Sequence, residues 1–246
     1  MSEGGYYTIN DKNRPAPLIS VVTVCYNAAD TLSTCIDSVI LQEFEDIEHI
    51  IIDGNSTDAT LDLLKERSEK IAFWHSGPDN GIYHAMNKAL KYVRGKWIVF
   101  LGADDELLPS FSGIAPYLKD SQTLYYSNVL YDSVPTGREI DGYFLAKNNI
   151  CHQSILYPRA VFEKYRFDEK YLLYADHHLN MQCWFDPLYK WQYVDLVTAR
   201  FATDGASAQK IDVEFEKDKP MLIKKYFGKV AHWRYLFKEF KLKMKG

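Results

Sequence analysis

Asn27, Asp53, Asp79 and the adjacent pair Asp104–Asp105 each close an apolar, β-branched stretch or lie in the loop just after one. In a parallel sheet all strand C-termini lie on one edge, and ligands bind in the crevice outside it. Residues spread over almost eighty positions would therefore meet in one crevice. Carboxylates gathered there repel, and a hard divalent cation relieves the repulsion. Oxygen ligands suit Mg²⁺ or Mn²⁺, and a cation held by one or two carboxylates keeps positions free for a diphosphate. An Asp-Asp pair after a strand can also simply cap the next turn. The other strand-end acids tip the balance toward the cation. No G-x-G-x-x-G follows the first strand and no G-x-x-x-x-G-K-[ST] occurs, which counts against dinucleotide and P-loop sites.

The elements that must position these groups can be read from periodicity. LISVVTVCY at 18–26 is a short run of the kind buried on both faces of a sheet. Asp30 is placed to cap a helix in which Leu32, Ile36, Val39 and Ile40 recur at helical spacing. Further strands are expected at 47–53, 71–76 and 97–102, with helices over 59–67 and 82–93. Strands alternating with helices through short links predict a parallel sheet with right-handed crossovers. Beyond Asp105 the alternation fails. Strands are expected at 123–131, 152–157 and 193–201, a turn at 135–137, and helices at 159–165 and 172–184. The basic C-terminus reads as two helical pieces divided near Gly228.

The chain has 246 residues, 47% of them hydrophobic, enough to bury a large core. Its net charge of −4 argues against nucleic acid as a partner. Residues 217–246 carry ten Lys/Arg against Asp218 and Glu239, a net +8 that leaves −12 on residues 1–216. Cys25, Cys35, Cys151 and Cys183 form no C-x-x-C pair and read as reduced thiols. The polar start MSEGGYYTINDKN has no signal-peptide core, and no apolar run approaches the ~20 residues that span a bilayer.

Four stretches carry a resemblance: ISVVTVCYNAADTLSTCIDSVILQ, IIDGNSTDAT, SGPDNGIYHAMNKALKYVRGKWIVFLGADDEL and ICHQSILYPRAVFEKYRFDEKYLLYADHHLNMQ. Together, in this order over about 18–185, they resemble the inverting family 2 glycosyltransferases of bacterial polysaccharide assembly. The resemblance implies a Rossmann-like GT-A fold: α/β, a mostly parallel sheet flanked by helices, with a C-terminal helical extension. Residues 1–216 would be the catalytic domain, 18–105 its nucleotide-binding half and 106–216 its acceptor side, with 217–246 a basic amphipathic tail.

Carried over by residue, the resemblance places Tyr26, Asn27, Asp53, Asp79 and Asp104 on the donor nucleotide. It places Asp104 and Asp105 in the metal motif, where Gly102 stands in place of a frequent first Asp; which of the pair holds Mn²⁺ or Mg²⁺ stays open. Asp176 in YADHH aligns with the catalytic base, although a residue there can also cap its helix. His152 and Gln153 match a pair that contacts donor or acceptor, or else form a polar pair at a strand edge. His84 stands where Asp is common and reads as a surface or capping histidine. His177 and His178 lack zinc-site spacing.

The implied activity is transfer of a sugar from a nucleoside-diphosphate donor, UDP-linked, to a hydroxyl of a glycan or lipid-linked glycan, by metal-assisted single displacement. The alternative is a non-catalytic nucleotide-sugar-binding protein, against which the retained Asp53, Asp104, Asp105 and Asp176 speak. In the tail, Val230, Trp233, Phe237, Phe240 and Met244 share a helical face beside Arg234, Lys238, Lys241 and Lys245. Aromatics flanked by bases suit a helix lying on an anionic membrane. Residues 229–246 are thus expected either to dock a cytoplasmic enzyme on the inner face of the membrane or to pack on the catalytic domain.

Overall fold

Runs of Val, Ile and Phe make the centre of the sheet, because both of its faces are covered. In the computed structural model, which describes residues 1–7, 15–202 and 211–244, β1 is Ser2–Gly4, β2 Ile19–Cys25, β3 Ile47–Asp53, β4 Phe73–Ser76 and β5 Trp97–Gly102. Alternate residues of these strands enter different cores. Val22, Ile50, Ile52, Ile98 and Phe100 face one side; Val21, Trp97, Val99 and Leu101 face another. Burying each such side chain contributes about 1.5–3 kcal/mol.

Helices α1 (Leu32–Ile40), α2 (Thr60–Glu66) and α3 (Ile82–Ala89) fill the crossovers. Strands β2, β3, β4 and β5 pair in parallel. Thr31, not the expected Asp30, occupies the N-cap of α1, with no side-chain cap bond. Strand β1 was not anticipated: Ser2–Gly4 has no apolar signal, yet it pairs antiparallel with β4.

The second half completes the sheet with β6 (Glu106–Leu107), β7 (Thr123–Tyr131), β8 (Val134–Thr136), β9 (Ile155–Pro158) and β10 (Lys190–Phe201). The strand order is β1-β4-β3-β2-β5-β9-β7-β10-β6, with β8 paired to β7 in a hairpin. Strand β9 runs antiparallel to both β5 and β7, and β7 runs parallel to β10. This arrangement brings the start of β9 to the same edge as the ends of the parallel strands. The register Trp97↔Pro158 and Ile98↔Tyr157, continued, sets Gln153 abreast of Gly102.

Helices α4 (Gly142–Lys147), α5 (Val161–Lys164), α6 (Ala175–Phe185) and α7 (Val213–Lys243) cover the acceptor half. Residues 152–154, expected as strand, form a 3-10 turn leading into β9. Helix α7 breaks where expected, at Gly228, whose φ of 83° is open to glycine. Its two pieces fold back on one another: His232 Nδ1 meets the Pro220 carbonyl at 2.8 Å, and Lys219 lies over the Tyr235 ring. Phe215, Ile223, Tyr226 and Tyr235 enter the core. The other face stays outside, with Trp233 67%, Phe237 60% and Phe240 61% exposed. The packed alternative thus fails for this stripe. Lys245 lies outside the described residues. No helix among the described residues is long and apolar enough to cross a membrane.

Candidate active site

The strand-end residues meet on one edge, but at two depths. Tyr26, Asn27 and Asp104 are exposed, and Asp79 and His152 are half-buried. Asp53, Asp105, Gln153 and Asp176 are buried beneath them.

At the nucleotide end, Asp53 closes β3. Its carboxylate accepts hydrogen bonds from the Ser56 amide and hydroxyl, and from the Ser76 hydroxyl at 2.6 Å. Asn27 takes a left-handed φ of 50°, which asparagine tolerates. Its Oδ1 accepts from the Thr57 amide at 2.9 Å and its own amide donates to Ser56 Oγ at 2.7 Å. Asn27 therefore laces the loop after β2 to the loop after β3, and Asp53 ties that second loop to the end of β4. Asp79 Oδ1 accepts the Gly81 amide at 2.9 Å. A Cβ on Gly54 would stand 2.8 Å from Asp79 Oδ2 and 3.4 Å from the Tyr26 ring. Tyr26 and Asp79 thus flank a notch that only a glycine leaves open. His84 Nδ1 accepts the Asn80 amide at the start of α3, the capping contact expected of it.

The acidic pair divides. Asp105 is 2% exposed. Its Oδ2 accepts from the Gly102 amide at 3.1 Å and Gln153 Nε2 at 2.5 Å, and its Oδ1 from the Ala202 amide at 2.9 Å. Read as a metal ligand, Asp105 instead has both oxygens committed to the protein. Asp104 points outward. Partial withdrawal from water, and then the Asp105 charge, hold its carboxyl above the usual value. A Cβ on Gly102 would lie 2.5 Å from Asp105 Oδ2 and 2.8 Å from Asp104 Oδ1; a side chain there would fall on both carboxylates. That accounts for glycine at this position. Among the described residues no three His, Cys, Asp or Glu side chains form a metal cage. The donor set fits a cation held by Asp104 and completed by diphosphate oxygens and water. Gln153 Oε1 is buried close by with no partner.

Asp176 sits in the first turn of α6, where the helix dipole favours a negative charge. The N-cap is Tyr174, so Asp176 is not the cap. It is 3% exposed and four donors converge on it. The Tyr83 hydroxyl, shared with the Leu173 carbonyl, reaches Oδ1 at 2.9 Å, and the His177 amide reaches it at 2.8 Å. Asn149 Nδ2 reaches Oδ2 at 2.8 Å and His152 Nδ1 at 3.3 Å. Burial pushes the Asp176 carboxyl up, but His152, Asn149 and Tyr83 outweigh it and hold the group below its ordinary value. Burial likewise pushes His152 down. The Asp176 bond and the charges of Asp176, Asp105 and Asp104 overcome that and raise it. Asp212 supports the arrangement: it caps α7 through the Phe215 amide and accepts the Leu173 amide at 2.8 Å. Tyr83, Asn149 and Asp212 were not among the expected site residues. Their sole signal was that two of them fall within or beside the quoted stretches.

The four cysteines are free thiols. Of His177 and His178, the first bonds the Leu145 carbonyl and the second Tyr226.

The family model for glycosyl transferase family 2 matches residues 20–182. The chain belongs to that family. The enzyme is a glycosyltransferase. It is 33% identical over 221 residues to the PGL/p-HBAD biosynthesis glycosyltransferase of Mycobacterium bovis (strain BCG / Pasteur 1173P2), covering 84% of this chain and 85% of the relative. The S. aureus TarS 1-349 structure in complex with UDP-GlcNAc superposes with a TM-score of 0.67 at 17% identity, over 87% of this chain and 68% of that one. The mannosyltransferase PcManGT from Pyrobaculum calidifontis, in complex with GDP-Man and Mn²⁺, gives 0.62 at 16% identity, over 91% and 65%. This glycosyltransferase spans 42% of the longer TarS chain. These neighbours share with it the GT-A fold.

Proposed function

We propose that this glycosyltransferase transfers a sugar from a nucleoside-diphosphate donor, UDP-linked, to a hydroxyl of a glycan or lipid-linked glycan in bacterial surface-polysaccharide synthesis. The observation that carries the reading is the open tier on one sheet edge, where exposed Tyr26 and Asp104 and half-buried Asp79 lie above a buried, hydrogen-bonded layer. Tyr26 offers a ring face to the base, and Asp79 an acceptor for donor hydroxyls. Asp53 and Asn27 shape the loop that receives them.

Asp104 would hold the divalent cation. The chemistry supplied by Mn²⁺ or Mg²⁺ when bound is neutralisation of the leaving diphosphate. Asp105 fixes the turn that presents Asp104, and Gln153 fixes Asp105. Asp176 supplies the negative charge toward which the acceptor's proton is drawn, in a single displacement that inverts the anomeric centre.

The acceptor side has its own cavity, of about 230 Å³, lined by Tyr126, Ile140, Phe144 and Ile150 and bounded by Asn149 and Cys151. Asn149 also touches Asp176, so an acceptor seated there would lie next to the proton-accepting group. The apolar walls suit an acceptor with an apolar face. The exposed Trp233–Phe237–Phe240 stripe and its basic neighbours support docking on an anionic membrane, where a lipid-linked acceptor resides.

A screen of nucleotide sugars for protection against thermal unfolding, with and without Mn²⁺, tests the reading. A true donor at ~100 times its Kd adds about 2.7 kcal/mol. Equal midpoints with every nucleotide sugar would overturn it.

A further inference from the structure

Four cations gather beside the acceptor cavity. Arg138 lines that cavity and lies 4.6 Å from the centroid of the Phe144 ring, itself a wall of the cavity. One residue earlier on α4, the Tyr143 ring carries two cations, Lys147 at 4.2 Å and Arg234 at 3.9 Å. Arg234 thus turns toward α4, whereas Lys241 lies over Phe237 of the exposed stripe. Burial, then the charges of Lys238 and Arg234, hold the Lys147 amine below its ordinary value; Arg138 adds to them and Asp141 opposes. None of the four forms an ion pair among the described residues, although other bases do: Arg67 with Asp37, Lys164 with Asp186, Lys170 with Asp218. Asp141 uses Oδ1 to accept the Phe144 amide at the start of α4. Gathered like charges repel one another, and an anion among them relieves that. Arg forks beside Lys charges are the groups that hold phosphoryl oxygens. A carboxylate brings a single charge, whereas a phosphate monoester brings about −1.5 to −2 at pH 7 and three acceptor oxygens.

We propose that Arg138, Lys147, Arg234 and Lys238 form a subsite for a phosphoryl group carried by the acceptor. This rests on the transferase reading above and deepens it. Asn149, which touches Asp176, lines the same cavity as Arg138. One acceptor can therefore present its hydroxyl beside Asp176 and its phosphoryl group to the cations. The aromatic rings fix where the cations stand, so little side-chain freedom is lost when the anion arrives. The phosphoryl group belongs either to a lipid phosphate or to a phosphate within the glycan. Trp233, 67% exposed, directly precedes Arg234 on α7. An apolar surface next to the cations favours the lipid phosphate.

Calorimetric titration of the full chain, in chelator and without vesicles, tests it with octyl phosphate, glucose 1-phosphate and octyl β-glucoside. Chelator removes the cation through which the donor tier would hold a phosphate. Octyl phosphate, kept below its micelle concentration, should bind at least about tenfold tighter than octyl β-glucoside, which has the chain but no phosphate. Arg138→Gln and Arg234→Gln should each weaken octyl phosphate by about fivefold or more. Arg138→Lys and Arg234→Lys keep the charge and should bind at least about threefold tighter than the Gln variants. Octyl phosphate tighter than glucose 1-phosphate assigns the phosphoryl group to a lipid-linked acceptor. The reverse order assigns it to a phosphate of the glycan, and either order supports the subsite. No binding of octyl phosphate to the wild type, equal affinity for octyl β-glucoside, or equal losses in the Gln and Lys variants would overturn it. Protection by nucleotide sugars in Mn²⁺ is read separately. If protection is absent while octyl phosphate binds through these cations, the transferase reading fails and the phosphoryl site stands. If protection is present and octyl phosphate does not bind, the subsite alone fails.

Discussion

Gln153 Nε2 lies 2.5 Å from Asp105 Oδ2, across 48 residues of sequence. That bond joins the start of β9 to the turn after β5 and makes Asp105 part of the scaffold, while the residue before it faces the cleft. The two neighbouring carboxylates should therefore fail differently when removed.

Asp105→Ala would strand the Gly102 and Ala202 amides and the Gln153 side chain. Each buried unsatisfied group costs about 1–3 kcal/mol, so a loss of at least about 2 kcal/mol in denaturant unfolding is expected. Asp104→Ala should unfold like the wild type and lose Mn²⁺-dependent turnover. Equal stability of the two variants would contradict this division.

Gly54→Ala sets a methyl 2.8 Å from Asp79 Oδ2. The carboxylate can swing away, so melting should hold within about 1 °C while donor KM rises severalfold, with kcat less affected. An unchanged donor KM would remove Asp79 and Tyr26 from the nucleotide site.

The central strands were legible because β2, β3 and β5 are rich in Val, Ile and other apolar residues and are buried on both faces. The break at Gly228 was legible because a glycine interrupts two apolar-periodic segments. Ser2–Gly4 and Glu106–Leu107 were not; elements of two or three residues have no period. Sequence also places acids along the chain without giving their depth. Asp104 and Asp105 read alike, although side chains of consecutive residues point differently and just one enters the core. The donors around Asp176 come from Tyr83 and Asn149, 93 and 27 residues away, and no local pattern announces them.

Burial lowers His177 to about 4 and His49 to about 3. Their folded values lie below the unfolded ~6.5, so the unfolded chain takes protons that the fold refuses. This stability is present above about pH 6.5 and is lost as pH falls toward the folded values. At pH 5 each group should cost roughly 2 kcal/mol. His177→Gln keeps an N–H for the Leu145 carbonyl but does not titrate, so its midpoint should fall less between pH 7.5 and 5. Identical slopes would contradict the assignment.

Trp233, Phe237 and Phe240 replaced together by Ser should leave the fold intact, since their side chains lie outside the core, and abolish sedimentation with anionic liposomes. High salt should weaken wild-type binding, because each base near the surface contributes about 1 kcal/mol through a screened field. Wild-type enzyme remaining in the supernatant at low salt would remove the membrane as partner.

The most direct test of the account is the product formed from a nucleotide sugar. With Mn²⁺ and a UDP-sugar, the enzyme should release free UDP without pyrophosphate, chelation should stop the release, and Asp104→Ala should lack it. Pyrophosphate as product, or UDP release at the wild-type rate in chelator or in Asp104→Ala, would contradict a metal-assisted transfer centred on Asp104.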